Sequence, residues 1–240
     1  MDKIIEKMFS VGAHFGYSKT KRHPSVKKFI FGAKNKVEIF DLEKTVKSLE
    51  DAKTFAKDLA ASGKQILFVS SKMEAKETIE NGASSVAAPF VAGRWIGGTL
   101  TNSTEIRKRV TKFLKLESDK EKGLLAKYTK KERLLIDREI DKLSRKFSGL
   151  TSMEGMPGAL FVVDPKKEEI AVKEAIEIGI PVIAVANSDC NIKNIKYPIA
   201  ANDSAMASIK FFTDEIVKAY GEGKKSAPKK EVVKREFSRR

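Results

Sequence analysis

Three short runs of almost uninterrupted apolar residues, 65–69, 159–163 and 182–186, restrict most tightly what this chain can fold into. A strand with one wet face alternates apolar and polar residues, whereas continuous Ile, Leu, Val and Phe require burial on both faces. The first two runs are followed by amphipathic stretches, 72–86 and 166–178. Alternation of this kind predicts an α/β fold: a parallel sheet with helices on both faces, in three layers of flavodoxin or Rossmann type. Asp164-Pro165 reads as a helix cap followed by proline at the first helical position. Helices at about 41–61 and 203–220 complete the layers, so residues 1–101 and 148–221 form the body.

The body is interrupted. Ile106, Val110 and Phe113 recur at helical spacing, a polar turn containing Gly123 follows, and Ile136, Ile140, Leu143 and Phe147 then stand at i, i+4, i+7 and i+11. Asn102 with Glu105, and Thr129 with Glu132, fit capping boxes that specify each helix start. The apolar stripes are narrow and the other faces charged, which predicts a protruding helical hairpin over 102–147. From residue 222 to 240 eight Lys/Arg stand against three Glu with little that is bulky and apolar, the composition of a disordered basic tail.

Charge narrows the partner. With 47 Lys/Arg against 32 Asp/Glu the chain carries +15 and attracts a polyanion. Between His14 and Lys36 stand Lys19, Lys21, Arg22, Lys27, Lys28, Lys34 and Lys36 and no carboxylate. Gly12, Gly16, Gly32 and Pro24 break this segment into turns, so its cations would hang from irregular backbone, as suits phosphates on a folded RNA. The longest apolar run, 178–186, is about half the roughly 20 residues a spanning helix needs. No membrane role follows from it, and the charged N-terminus is no signal-peptide core. One cysteine, Cys190, allows no intramolecular disulfide, and the reading is a reducing, cytoplasmic location.

No segment reads as a catalytic or cofactor site. His14 and His23 are the only histidines, and two ligands without a neighbouring carboxylate or thiolate do not make a zinc site. The loop from Gly93 to Asn102 holds the only tryptophan, Trp95, between Arg94 and the pair Gly97-Gly98. A glycine-rich loop before a helix can cradle phosphate, but this one has neither P-loop nor dinucleotide spacing. The plainer reading packs Trp95 in the body and turns Arg94 toward RNA. In a nucleotide-dependent α/β enzyme, the alternative, the site would use the strand ends at Ser70, Ser71, Asp164, Asn187, Ser188 and Asp189. Ser71 with Glu74 and Asp164 with Pro165 already read as helix caps, and 187–189 as a turn.

The motifs Gly12-Ala13-His14-Phe15-Gly16 and His23-Pro24-Ser25-Val26-Lys27-Lys28-Phe29-Ile30-Phe31-Gly32-Ala33-Lys34-Asn35-Lys36-Val37 resemble the start of the bacterial small-subunit ribosomal protein two family. Asp41-Leu42-Glu43-Lys44-Thr45, Arg94-Trp95-Ile96-Gly97-Gly98-Thr99-Leu100-Thr101-Asn102, Thr129-Lys130-Lys131-Glu132, Ala159-Leu160-Phe161-Val162-Val163-Asp164 and Gly179-Ile180-Pro181-Val182 resemble it in the same order, over roughly residues 8 to 220. The resemblance implies a parallel-sheet domain with an inserted hairpin, a structural component of the small ribosomal subunit with no catalysis. The implied partners are small-subunit, 16S-type rRNA, neighbouring ribosomal proteins and, in many bacteria, the largest small-subunit protein. It implies no small-molecule substrate, cofactor or metal. The chain departs from the family pattern at Tyr17, at Ala92-Gly93 and at Cys190. A general RNA chaperone acting off the ribosome is the third class the charge allows.

Overall fold

A computed structural model describes residues 2–226. Its strands are β1 (Phe15–Ser18), β2 (Ile30–Lys34), β3 (Val37–Phe40), β4 (Ile66–Ser70), β5 (Phe90–Ala92), β6 (Ala159–Val163), β7 (Val182–Ala186) and β8 (Tyr197–Ala200). Its helices are α1 (Asp2–Ser10), α2 (Leu42–Ala61), α3 (Met73–Ser85), α4 (Ser103–Glu121), α5 (Lys130–Phe147), α6 (Glu169–Ile178) and α7 (Met206–Ser226). Five strands make a parallel sheet in the order β5-β4-β6-β7-β8, and β1-β3-β2 make an antiparallel one. Counted within the parallel sheet the order is 2-1-3-4-5, the doubly wound arrangement whose ligand crevice opens where the first and third strands part. Here that is the carboxyl end of β4 and β6, paired Ile66 to Ala159 and onward.

The three apolar runs become β4, β6 and β7, and every residue in them is buried. Their side chains alternate between two cores. Leu67, Val69, Leu160, Val162 and Ala184 pack with Val26, Phe29, Trp95 and α6 on one face. Ile66, Phe68, Phe161, Val163 and Ile183 pack with α2, α3 and α7 on the other. Full burial of one such side chain contributes about 1.5–3 kcal/mol, which is why the layers form around these runs.

The local signals held unevenly. Asp41 caps α2 by accepting the Glu43 amide, and Thr129 with Glu132 forms a complete capping box on α5. Asn102 makes no side-chain cap bond. Ser71 does not cap α3 either: Lys72 is the N-cap residue and the Ser71 amide donates to Glu168. Asp164 takes φ +64 and its carboxylate accepts the Lys167 amide, closing a turn that delays α6 to Glu169. α7 continues to Ser226, so residues 222–226 are helix and not tail. A Cβ on Gly223 would overlap the Lys57 carbonyl oxygen, which shows how closely this end of α7 meets α2. The rest of the expected tail, 227–240, lies outside the described residues. The helices α4 and α5 follow one another through a Gly123 turn at φ +70, and Lys112–Glu139 and Lys120–Asp137 ion pairs join them.

Candidate nucleic-acid interface

The N-terminal basic segment is ordered by docking on the carboxyl end of the parallel sheet. The Tyr17 amide donates to Ser188 Oγ at 3.0 Å and the His23 amide to the Ser188 carbonyl at 2.8 Å. Ser25 Oγ accepts the Ile192 amide at 3.1 Å, and Asn202 binds the Gly12 and Ala13 carbonyls. Glycine suits this approach, since a Cβ on Gly16 would stand 3.3 Å from both the Glu38 carbonyl and Ser188 Oγ, closer than an ordinary contact. Irregular backbone was expected here, yet two short 3-10 turns and the β1-β3-β2 sheet carry the cations. Asn35 (φ +51) and Lys36 (φ +67) form the tight β2–β3 turn that needs positive φ at both positions.

Lys19, Lys21, Lys27, Lys28, Lys34 and Lys36 are all exposed, and none forms an ion pair among the described residues. Lys21 and Lys28 sit over the Tyr17 and Phe29 rings at 5.7 and 5.1 Å. Arg94 follows β5 and is also exposed, so it leaves the same, carboxyl end of the sheet. Arg22 differs from these seven. Its Nη1 lies 2.9 Å from Glu38, whose carboxylate is 1% exposed, so Arg22 neutralises a buried charge. Glu38 stands two positions past the acid-free segment and returns to it through β3. The two histidines are separated: His14 is stacked on Phe9 at 4.3 Å, and burial holds its pKa below the usual histidine range, while His23 bonds Ser25.

Beneath this segment the strand-end crevice is filled. Lys72 Nζ lies 2.8 Å from Asp203 and 2.9 Å from Asp164, and donates to the Asp203 carbonyl at 3.0 Å. Burial works against the ammonium, but the two carboxylates outweigh it and hold Lys72 above the usual lysine range. One ammonium serves two acids. Burial and the neighbouring Asp164 accordingly leave Asp203 above the usual carboxylate range, although Lys72 opposes that shift. Cys190 Sγ groups with Asp164 and Asp203, an arrangement of metal-ligand type, but the ammonium already occupies the cation position between the carboxylates. Burial, then Asp164 and Asp189, push the Cys190 thiol up. A protonated lysine and a protonated thiol supply neither base nor nucleophile.

The glycine-rich loop does cradle an anion, and the anion is the protein's own. Glu174, buried on α6, accepts Trp95 Nε1 at 3.0 Å and the Gly98 amide at 2.8 Å on one oxygen. Its other oxygen accepts the amides of Leu100 at 3.0 Å and Thr101 at 3.2 Å. Burial alone would raise this carboxyl; the donated bonds outweigh it and hold it below the usual range. Ala171 lies three residues before it on the buried side of α6, and that spacing was the available signal for an inward carboxylate. Glu174→Gln presents an amide N–H₂ to some of these donors and should cost about 1–3 kcal/mol in denaturant unfolding followed by Trp95 fluorescence. Because the folded pKa is depressed, the wild-type contribution is present above about pH 4.3 and fades as pH falls through the folded value. The stability gap between Gln variant and wild type should therefore close in acid.

Among the described residues no helix is long and apolar enough to cross a membrane. Residues 8–223 match the family described as ribosomal protein S2. The chain is 43% identical over 221 residues to small ribosomal subunit protein uS2 of Dictyoglomus thermophilum, covering 92% of this chain and 90% of that one. It is 42% identical to the uS2 proteins of Karelsulcia muelleri, covering 85% and 92% of the two chains, and of Roseiflexus castenholzii, covering 89% and 81%.

Proposed function

The chain belongs to the ribosomal protein S2 family, and we propose that it is a structural, non-enzymatic constituent of the small ribosomal subunit, held on 16S-type rRNA by phosphates at the carboxyl end of its parallel sheet. Lys19, Lys21, Lys27, Lys28, Lys34, Lys36 and Arg94 make those contacts, and Arg22 positions the segment through Glu38. The observation that carries the reading is that these seven cations are exposed and without carboxylate partners among the described residues, above a crevice plugged by Lys72. Because the backbone of the segment is already ordered, phosphate binding has only the side chains left to immobilise. A nucleotide-dependent enzyme finds no support in that plugged crevice.

In this reading residues 102–147 are an arm, 1–101 and 148–226 the body, and the location is the cytoplasmic ribosome. Neighbouring small-subunit proteins, the largest of them included, are its protein partners. Lysate sedimented through a density gradient tests the assignment. The protein should travel near-stoichiometrically with the small subunit, whereas an enzyme remains at the top and a general chaperone spreads across fractions. Absence from the subunit peak would exclude the assignment.

A further inference from the structure

Two phenylalanines stand where this side chain is seldom found. Phe9, in the last turn of α1, is 63% exposed, and Phe15, the first residue of β1, is 48% exposed, although phenylalanine is among the residues most often buried. They are not isolated. The His14 ring stacks on Phe9 at 4.3 Å with an interplanar angle of 7° and lies against Phe15 at 4.0 Å. Ile4, Ile5 and Met8 are the residues through which α1 packs on the core, so docking of the helix does not account for Phe9.

The backbone holds these rings in place. Gly12 turns at φ +69, Asn202 binds the Gly12 and Ala13 carbonyls, and the His14 carbonyl accepts the Phe40 amide at 2.8 Å. His14 Nδ1 is buried without a hydrogen-bond partner among the described residues, so ring contact, and not a bond at that nitrogen, orients the imidazole. Burial keeps it from protonating near neutral pH, and the three rings bring no charge of their own. The segment that carries them has one sign: from Lys7 to Val37 the sequence holds no acid. Two residues past Phe15, Lys21 lies over the Tyr17 ring at 5.7 Å.

We infer that Phe9 and Phe15 form a stacking platform for unpaired RNA bases, which extend the Phe9–His14–Phe15 stack at its open ends while the neighbouring lysines hold the phosphates. The inference rests on the reading of the chain as an rRNA-bound subunit protein and deepens it. Phosphate contact accepts any RNA, whereas stacking on an aromatic ring requires bases free of a helix and tolerates any sequence. Charge favours this occupant over a second copy of the chain, which carries the same +15.

The test measures the affinity of the full chain for protein-free small-subunit rRNA across a salt series. Phe9→Ala and Phe15→Ala should each weaken binding about 5- to 150-fold, the worth of one stacked base. Stacking releases no counterions, so the log–log salt plots should drop without changing slope. Phe9→Trp should bind at least as tightly as the unaltered chain. Phe9→Leu and Phe15→Leu serve if the alanine variants melt early. On a short single-stranded RNA and the duplex it forms with its complement, the loss should be confined to the single strand; an equal loss on both overturns the inference. Unchanged rRNA affinity in both variants, while removal of the N-terminal lysines lowers the slope, overturns the platform alone. Failure of the unaltered chain to bind rRNA overturns both readings. Unchanged rRNA affinity with self-association of the chain abolished by Phe9→Ala assigns the rings to a second copy and overturns the inference.

Discussion

Lys72→Ala is expected to lower folding stability by about 3–5 kcal/mol, because it leaves two carboxylates without their shared counter-charge in a buried site. Asp203 is 1% exposed and Asp164 13%, and Asn187 donates at 2.8 Å to the other Asp203 oxygen. Water cannot readily replace the ammonium there. A loss of this size is a large part of a typical total of 5–15 kcal/mol, and corresponds to about 6–20 °C in Tm for a domain of this length. The pH dependence identifies the cause. Asp203 already has a raised folded pKa, so its ionised form opposes folding as pH rises through that value. Without Lys72 the shift grows, and the variant should regain stability as the solution is acidified. Asp203→Asn added to Lys72→Ala should recover part of the loss at neutral pH. Thermal melts by circular dichroism between pH 5 and 8 would check both; a pH-independent loss without rescue would mean that packing of the lysine stem, and not charge, matters.

The second large effect separates binding from folding. With Lys19, Lys21, Lys27, Lys28 and Lys34 replaced by glutamine and Lys36 by glycine, affinity for protein-free small-subunit rRNA should fall by on the order of 10³-fold at about 0.15 M salt. None of the six lysines has an ion-pair partner among the described residues, and glycine suits the positive φ at position 36, so the melting temperature should change little. Arg22→Gln should behave in the opposite way. It leaves Glu38 buried without its cation, so stability should drop more than binding per charge removed.

What was legible in the sequence were the elements whose cause is local or repeated. β4, β6 and β7 declare themselves as continuous apolar runs, and Asp41 and Thr129 sit where their side chains can reach the first turn of their own helix. The antiparallel sheet was not legible. Its strands are four or five residues long, its β2–β3 turn uses Asn35-Lys36 without glycine, and its register is set by docking against Ser188 and Asn202, far along the chain. β8 was hidden by Pro198, which an edge strand tolerates. The three-residue β5 was too short to show a period, whereas α1 carried a helical one, Ile4, Ile5 and Met8 on one face, that the alternating charges of the N-terminus masked.

The candidate interface divides in the same way. The basic load was readable as a missing acid between residues 14 and 36, but the Arg22–Glu38 pair needed β3 to fold back. The anion that the Trp95 loop cradles belongs to a helix more than seventy residues away, and Lys72 looked like the first residue of an ordinary amphipathic helix. Its partners Asp164 and Asp203 converge only through the parallel topology. Long-range charge pairing leaves no local signature; hydrophobic periodicity does.

The central claim, that phosphate contact by an ordered N-terminal segment holds this chain on the small-subunit rRNA, is tested most directly by log–log salt plots of rRNA affinity for the unaltered chain and the six-lysine variant. At about 0.7–0.9 per contact, the variant should lose roughly four to five units of slope while melting at the wild-type temperature. Parallel plots for the two proteins, with both folded, would contradict it.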